Sequence, residues 1–277
     1  MAVASWYDLL YGVLLYGYGQ RRHRRLSATA PRTDHHTYTA FYRLPAQFDA
    51  LLGPVLDHVG VGSDGRRTEP VRISVLAGSI GAEAYTIAGV LRRALPDLDF
   101  EIECSDLHPD TVDRAEAGVY QADEVLRHGI PAALVDALFV REGDTFTVRD
   151  DVRRSVRFFT ADILDDGLAA RHSRSDMVFV QNVFCHLTAD QADVAFDNVL
   201  RILASPGALF VDGMPLDWRQ RLTAAHDLRP LDFKLREIHA QARRHLPPAW
   251  WTRYYGVEPF VPIRRDRSRR YATIFLR

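Results

Sequence analysis

The chain has 277 residues, 47% hydrophobic and 26% charged, with 17 Gly, 14 Pro and only 2 Cys. That balance supplies a large core and excludes a disordered, collagen-like or disulfide-scaffolded chain. A formal net charge of −1 provides no overall field for nucleic acid. Both cysteines, Cys104 and Cys185, sit inside apolar runs, which points to a reducing, cytoplasmic setting. Lys234 is the one lysine among 35 basic residues, a bias we read as genomic rather than chemical.

The chain starts with an apolar, aromatic stretch, Trp6–Tyr16. It carries Asp8, falls short of the ~20 residues a membrane span needs, and precedes its cluster Arg21, Arg22, Arg24 and Arg25 instead of following it. The expectation is a helical, aromatic cap over residues 1–38, packed on the domain or covering a pocket, with no stable membrane insertion. Residues 61–70 read as a loop. Val71–Ala77 is a buried-strand run ending in Gly78-Ser79-Ile80-Gly81. Ala84, Ile87, Ala88, Leu91 and Leu95 then mark one face of a helix that Pro96 stops.

Phe100–Ser105 is a second strand ending at Asp106, with Pro109–Ala117 as its helix. Residues 120–139 read as helical, and Phe139–Arg141 with Thr145–Val148 as a small hairpin around Glu142-Gly143-Asp144. Val156–Thr160, Asp176–Val180 and Ala208–Val211 are the third to fifth strands; Thr188 and Gln191 form a capping box before another helical stripe. Two last strands are expected at Phe260–Ile263 and Tyr271–Leu276, joined by the charged turn 265–269.

Alternating strands and helices predict an α/β fold with helices on both faces of the sheet. Five parallel strands plus a C-terminal antiparallel hairpin give a seven-stranded, Rossmann-like sheet, the architecture of class I methyltransferases. Residues 215–259 form an insertion between the fifth strand and the hairpin, rich in Arg, His and aromatics. Over 215–270 there are 13 Lys/Arg against 6 Asp/Glu, a net +7, which leaves −8 elsewhere. Residues 39–277 are expected to form one cofactor-binding methyltransferase domain, in which such a segment suits an acceptor-binding insertion or lid, for an anionic or aromatic small molecule, or a solvated helical pair covering the sheet. No helix-turn-helix, zinc-finger or RNA-stacking motif supports a nucleic-acid partner.

In open α/β sheets ligands bind at the carboxyl ends of the strands, and polar residues gather there in this sequence. The small-residue turn Ala77-Gly78-Ser79-Ile80-Gly81 lets a ligand approach the backbone, although the third Gly of a dinucleotide fingerprint is missing. Glu83, in the following helical turn, can hold an ammonium group or complement the helix dipole. Asp106 is placed to accept from ribose hydroxyls. Asp162 can receive an adenine amine, and Asn182 lies beside the ligand's middle. A ligand with an amine, a ribose and an adenine is met by S-adenosylmethionine and poorly by NAD.

The segments Thr39-Ala40-Phe41-Tyr42-Arg43 and Ala77-Gly78-Ser79-Ile80-Gly81-Ala82-Glu83-Ala84-Tyr85-Thr86-Ile87-Ala88 resemble motifs of the CheR-type chemotaxis receptor methyltransferases. So do Ser105-Asp106-Leu107, Ala115-Glu116-Ala117-Gly118-Val119-Tyr120, Gln181-Asn182-Val183-Phe184-Cys185-His186-Leu187 and Ser205-Pro206-Gly207-Ala208-Leu209-Phe210. Order and spacing hold over residues 37–213. The resemblance implies S-adenosylmethionine as cofactor, with Thr39 and Arg43 near its methionine end and the reacting centre. It puts Glu83 on the amino group, Asp106 on the ribose and Asp162 on the adenine. Ala77, Gly78, Leu107, Ile163, Asn182 and Val183 complete the pocket.

Several positions depart from the family pattern. Gln181 replaces its Arg, His186 its Tyr and Ala82 the first of two glutamates. Only 38 residues precede Thr39, so most of the family's N-terminal helical domain is expected to be absent. These departures direct the expectation to O-methylation of a small molecule or a non-chemoreceptor acceptor, at a carboxylate or a hydroxyl. A CheR-type protein glutamate is the alternative, and a catalytically silent cofactor-binding sensor a further one. Arg43 and His186 are the candidate catalytic residues. An ionised carboxylate needs a cation for placement, which Arg43 supplies; a hydroxyl or amine needs proton removal, for which His186 is the candidate.

Overall fold

The structure, a computed structural model, describes residues 14–29, 39–62, 65–244, 249–252 and 258–277. The aromatic start, Trp6 to Val13, therefore lies outside the described residues, as do the loop residues Ser63 and Asp64. Among the described residues no helix is long and apolar enough to cross a membrane.

The main sheet has the strands β1 (Val71–Leu76), β2 (Phe100–Asp106), β6 (Val156–Thr160), β7 (Ser175–Gln181), β8 (Leu203–Asp212), β9 (Arg229–Pro230) and β10 (Ile274–Leu276), in the spatial order β6-β2-β1-β7-β8-β10-β9. The first five in that order are parallel, and β10 runs antiparallel to both β8 and β9. This is the expected class I methyltransferase sheet. A smaller antiparallel sheet joins β3 (Val119–Gln121), β4 (Phe139–Glu142) and β5 (Thr145–Val148), so the expected hairpin gains a third strand.

Alternation along each strand builds two cores. Met177 and Phe179 of β7, with Ala208 and Phe210 of β8, face the side covered by the helix Ala82–Ala94; Val178, Val180, Leu209 and Val211 face the side covered by Ala189–Ile202. Thr188 caps the latter helix as expected, with Gln191 returning the bond. On that second face a polar cluster replaces apolar packing under β1, β2 and β7. Buried His172 bonds Ser74 Oγ through Nδ1 (3.1 Å) and Ser105 Oγ through Nε2 (2.9 Å). With both ring nitrogens used and nothing open around it, the cluster clamps three strands together.

Two expectations are corrected. The segment 120–139 is two short helices, Ala122–Leu126 and Ala132–Leu138, separated around Gly129 and Pro131. More importantly, 260–263 is not a strand and 265–269 is not a hairpin turn. The seventh strand is β9, and the charged run enters the helix Arg267–Tyr271. Burial of charge is the reason. Arg270, 4% exposed, forks onto Glu258, 1% exposed, at 2.5 and 2.6 Å and also reaches Asp217 at 2.9 Å. Buried charges persist only when paired, and a helical turn aims Arg270 inward where an exposed hairpin would leave it in water.

Candidate active site

The parallel strands end on one side of the sheet, as the registers Leu76↔Ser105, Asp106↔Thr160 and Gln181↔Asp212 require. After β1 the chain turns sharply: Ala77 and Ser79 both have φ of 52° and Gly81 has 84°. Left-handed backbone at residues with a Cβ is costly and persists where neighbours fix it. Here the Ser79 N–H donates to Asp106 Oδ2 (2.8 Å), and Tyr120 Oη donates to the Ile80 carbonyl (2.5 Å). A Cβ at Gly78 would meet Cys104 Sγ at 2.2 Å, so only glycine lets this turn lie on β2.

Asp106 takes a second backbone donor, the His108 N–H at 3.1 Å, which fixes its carboxylate at the tip of β2. Beside it Leu107 is 51% exposed, an apolar side chain standing free at the strand end. Asp162 closes its own turn by accepting from Leu164 N–H (2.9 Å). That turn is held from behind by Asn198, which donates through Nδ2 to the Ile163 and Asp165 carbonyls. Sequence reading passed over Asn198; the signal was an amide three residues beyond Ala195 on an otherwise apolar helix face. Val183 is buried, and Asn182, Ile163 and Asp162 are partly buried.

Glu83 sits in the first turn of the helix Ala82–Ala94 and, among the described residues, accepts no hydrogen bond. Burial pushes its carboxyl up to about 7, with nearby Asp212 adding to the rise and Arg43 opposing it. A partly buried carboxylate with no donor is a natural seat for a cation. Arg43, Thr39 and Glu83 line one small cavity together with Gln181.

With the Asn182 amide turned so that its oxygen faces Arg43, Oδ1 accepts from Nη1 and Nη2 at 2.5 Å each, and Gln181 Oε1 accepts from Nη2 at 3.4 Å. Gln181 is itself held by Gln47, and Gln47 by Thr273. Arg43 is thus oriented by two amides and not by a carboxylate. Among the described residues its charge is matched by no ion pair, whereas Arg219 pairs with Asp212 and Arg270 with Glu258.

Asn182 has φ of 58°, and Gly213, at 66°, packs against it; a Cβ on Gly213 would come within 2.5 Å of the Asn182 backbone. Gly213→Ala is therefore expected to displace Asn182 and release Arg43. Turnover should fall by roughly tenfold or more, and the melting temperature should drop by more than the few degrees that about 1 kcal/mol produces, because the Asn182 backbone must give way; steady-state kinetics and a thermal melt check both.

His186 is not brought into the Arg43 cavity. It lies in the short 3-10 turn Phe184–His186 and lines a separate cavity of about 400 Å³, together with Cys185, Leu187 and Trp218. Burial lifts the Cys185 thiol to about 12, so no thiolate nucleophile forms there at neutral pH. Among the described residues no group of three or more His, Cys, Asp or Glu is placed to hold a metal.

This strand order, with a backbone turn, two carboxylates and an amide at successive strand tips, defines a class I methyltransferase domain. The family model described as CheR methyltransferase, SAM binding domain, matches residues 37–214, and the chain belongs to that family. It is 27% identical over 235 residues to a probable biofilm formation methyltransferase, WspC, of Pseudomonas aeruginosa, covering 83% of this chain and 53% of that protein. It is 28% identical over 175 residues to a chemotaxis protein methyltransferase of Listeria monocytogenes, covering 63% of each. A chemotaxis protein methyltransferase 2 of Vibrio cholerae matches at 27% over 177 residues, 62% of this chain and 60% of that one. The chain thus spans about half to three fifths of the length of these relatives.

Proposed function

We propose that this chain is an S-adenosylmethionine-dependent O-methyltransferase whose acceptor is a carboxylate. The observation that carries the reading is Arg43, a guanidinium fixed by neutral amides beside Glu83 with its charge free to meet an anion. The residues at the strand tips fit the cofactor. Donor-less Glu83 suits its ammonium, Asp106 its ribose hydroxyls, exposed Leu107 and partly buried Ile163 the faces of its adenine, and Asp162 the adenine amine. The bound cofactor supplies a methyl group already activated by the positive sulfur. The chain's own work is alignment and desolvation. Arg43 holds the acceptor carboxylate so that one oxygen approaches in line. The cofactor, held by Glu83, Asp106 and Asp162, would supply the methyl and depart as a neutral thioether, and an ionised acceptor carboxylate would need no residue of this chain as a base. Thr39 and Val183 bound the space where this happens. His186 becomes a base only if the acceptor is a hydroxyl.

In this reading residues 39–277 form the catalytic domain, 1–38 its cap, and 215–259 part of the acceptor side. The free thiols of Cys104 and Cys185 fit a cytoplasmic setting. A protein glutamate is the second reading, favoured by relatives named as chemotaxis protein methyltransferases. Transfer of labelled methyl into a cell extract tests both. Label released by mild base identifies methyl esters, and its size fraction separates protein from small molecule. Base-stable label would overturn the carboxylate assignment.

A further inference from the structure

The departure at Gln181, where the family pattern has Arg, has no part in the proposed function so far. Gln181 ends β7, is 8% exposed and lines the small cavity with Arg43, Gln47 and Glu83. A guanidinium offers donors all round, whereas an amide has an accepting end and a donating end. Turned one way, the amide accepts from Arg43; turned the other, it sets an N–H against a cation. Whatever fixes that amide also fixes Arg43. Resting on the carboxyl-methyltransferase reading, we propose that Gln47 is a positioning residue for methyl transfer: through Gln181 it holds the Arg43 guanidinium in place to face the acceptor carboxylate.

Three hydrogen bonds run in one sense. Gln47 Nε2 donates to Thr273 Oγ1 (2.7 Å), Gln181 Nε2 donates to Gln47 Oε1 (2.9 Å), and Gln181 Oε1 accepts from Arg43 Nη2 (3.4 Å). Each amide that donates to one neighbour turns its oxygen to the next, so the orientation set at Thr273 is passed on to Arg43. Both supports of this relay are anchored. The Val211 N–H of β8 donates to the Thr273 carbonyl (2.8 Å), immediately before β10. The helix Pro45–Ala50, which carries Gln47, is tied down where the Ala46 N–H donates to Gln241 Oε1 (3.0 Å). Gln47 and Thr273 are each 3% exposed, so water does not compete for the amides.

Arg43 needs such a support. Its backbone lies outside any helix or strand, directly after Tyr42 with φ of 53°. Asn182 grips both Nη1 and Nη2 through one oxygen, and a fork held at one atom can pivot about it. Gln181, bonding Nη2 alone, is a second point of contact that removes the pivot. An amide does this without adding a negative charge. A carboxylate in its place would pair with Arg43 and compete with the acceptor.

The test reads the place of Arg43 through its effect on Glu83. Arg43 and Asp212 are the charged groups acting on that carboxyl, Arg43 lowering its pKa and Asp212 raising it. Calorimetric titration of the full chain with S-adenosylhomocysteine, between roughly pH 5 and 9, gives the pH at which affinity levels off. Gln47→Met keeps a similar length and removes both amide groups. It should move the levelling-off up by roughly half a pH unit, with affinity back within about twofold of the wild type by about pH 8.5. Transfer of base-labile label into a cell extract should fall roughly tenfold. Thr273→Val, at the other end of the relay, should shift both in the same direction by less. In an Arg43→Ala background neither substitution should move the profile further, because a residue that acts through Arg43 then has nothing to position. A general loosening of the fold would instead lower affinity at every pH, with or without Arg43. The inference is overturned if Gln47→Met leaves the levelling-off pH unchanged, or if it shifts it as far without Arg43 as with it. An unmoved profile with base-labile label removes this inference alone. Failure of the wild type to bind S-adenosylhomocysteine removes the methyltransferase reading and this inference together.

Discussion

S-adenosylmethionine is expected to bind about tenfold more tightly for each pH unit between roughly pH 5 and 7, then level off, because the cofactor's ammonium needs Glu83 ionised. Glu83 stands near 7 in the ligand-free protein because burial, unrelieved by any donor, penalises its charge. Binding at pH 6 should therefore release close to one proton, visible as calorimetric heats that vary with the ionisation enthalpy of the buffer. Glu83→Gln should weaken binding roughly 10- to 150-fold at pH 7.5, the loss of a charge-assisted hydrogen bond, and flatten the profile.

Stability without ligand follows the opposite course. Glu83 has a folded-state pKa raised above its unfolded value, so between about pH 4.5 and 7 the native state holds the proton more firmly than the unfolded chain. Stability from this group is present below that window and lost as pH rises through it, by on the order of 3 kcal/mol at most. Glu83→Gln should remove that loss and melt higher than the wild type at pH 8 while binding cofactor worse. A flat wild-type affinity profile from pH 5 to 7 would contradict the assignment of Glu83 to the ammonium.

Arg43 separates into two roles that two substitutions can distinguish. Arg43→Ala deletes the positive charge that opposes the rise at Glu83, so Glu83 should titrate higher still. Cofactor affinity at pH 7 should fall and recover by about pH 8.5, whereas turnover should stay down by roughly 100-fold at every pH because the acceptor has lost its anchor. Arg43→Lys keeps the charge but not the fork that Asn182 grips at two nitrogens. Its cofactor profile should nearly overlay the wild type while kcat falls. Full turnover by the lysine variant would mean that charge alone suffices and that the amide-held geometry is incidental.

The pH coupling of Glu83 and Arg43 shows where reading the sequence stops. That both belong near the cofactor was legible from the motifs around Thr39 and Gly81. That they meet across one small cavity, Arg43 held by Asn182 and Gln181, required the 138 residues between Arg43 and Asn182 to fold back. Asn198 and Gly213 were passed over for a similar reason. An amide on an apolar stripe and a glycine after a strand gain meaning only from the carbonyls and side chain they touch, Ile163, Asp165 and Asn182. The C-terminal hairpin was misplaced because a run of arginines is ordinarily solvated, and nothing local reveals that Arg270 is buried against Glu258.

By itself the sequence determined the alternating strands and helices, the boundaries of Pro109–Ala117 and Val156–Thr160, the Thr188 cap and the polar strand tips. Each of these follows from local periodicity, capping chemistry or backbone preference within a few residues. The tertiary structure decided the charge state of Glu83, the partners of Arg43, the identity of the seventh strand, and the separation of His186 into its own aromatic cavity. Those depend on dielectric and contact between distant segments, which no local pattern encodes.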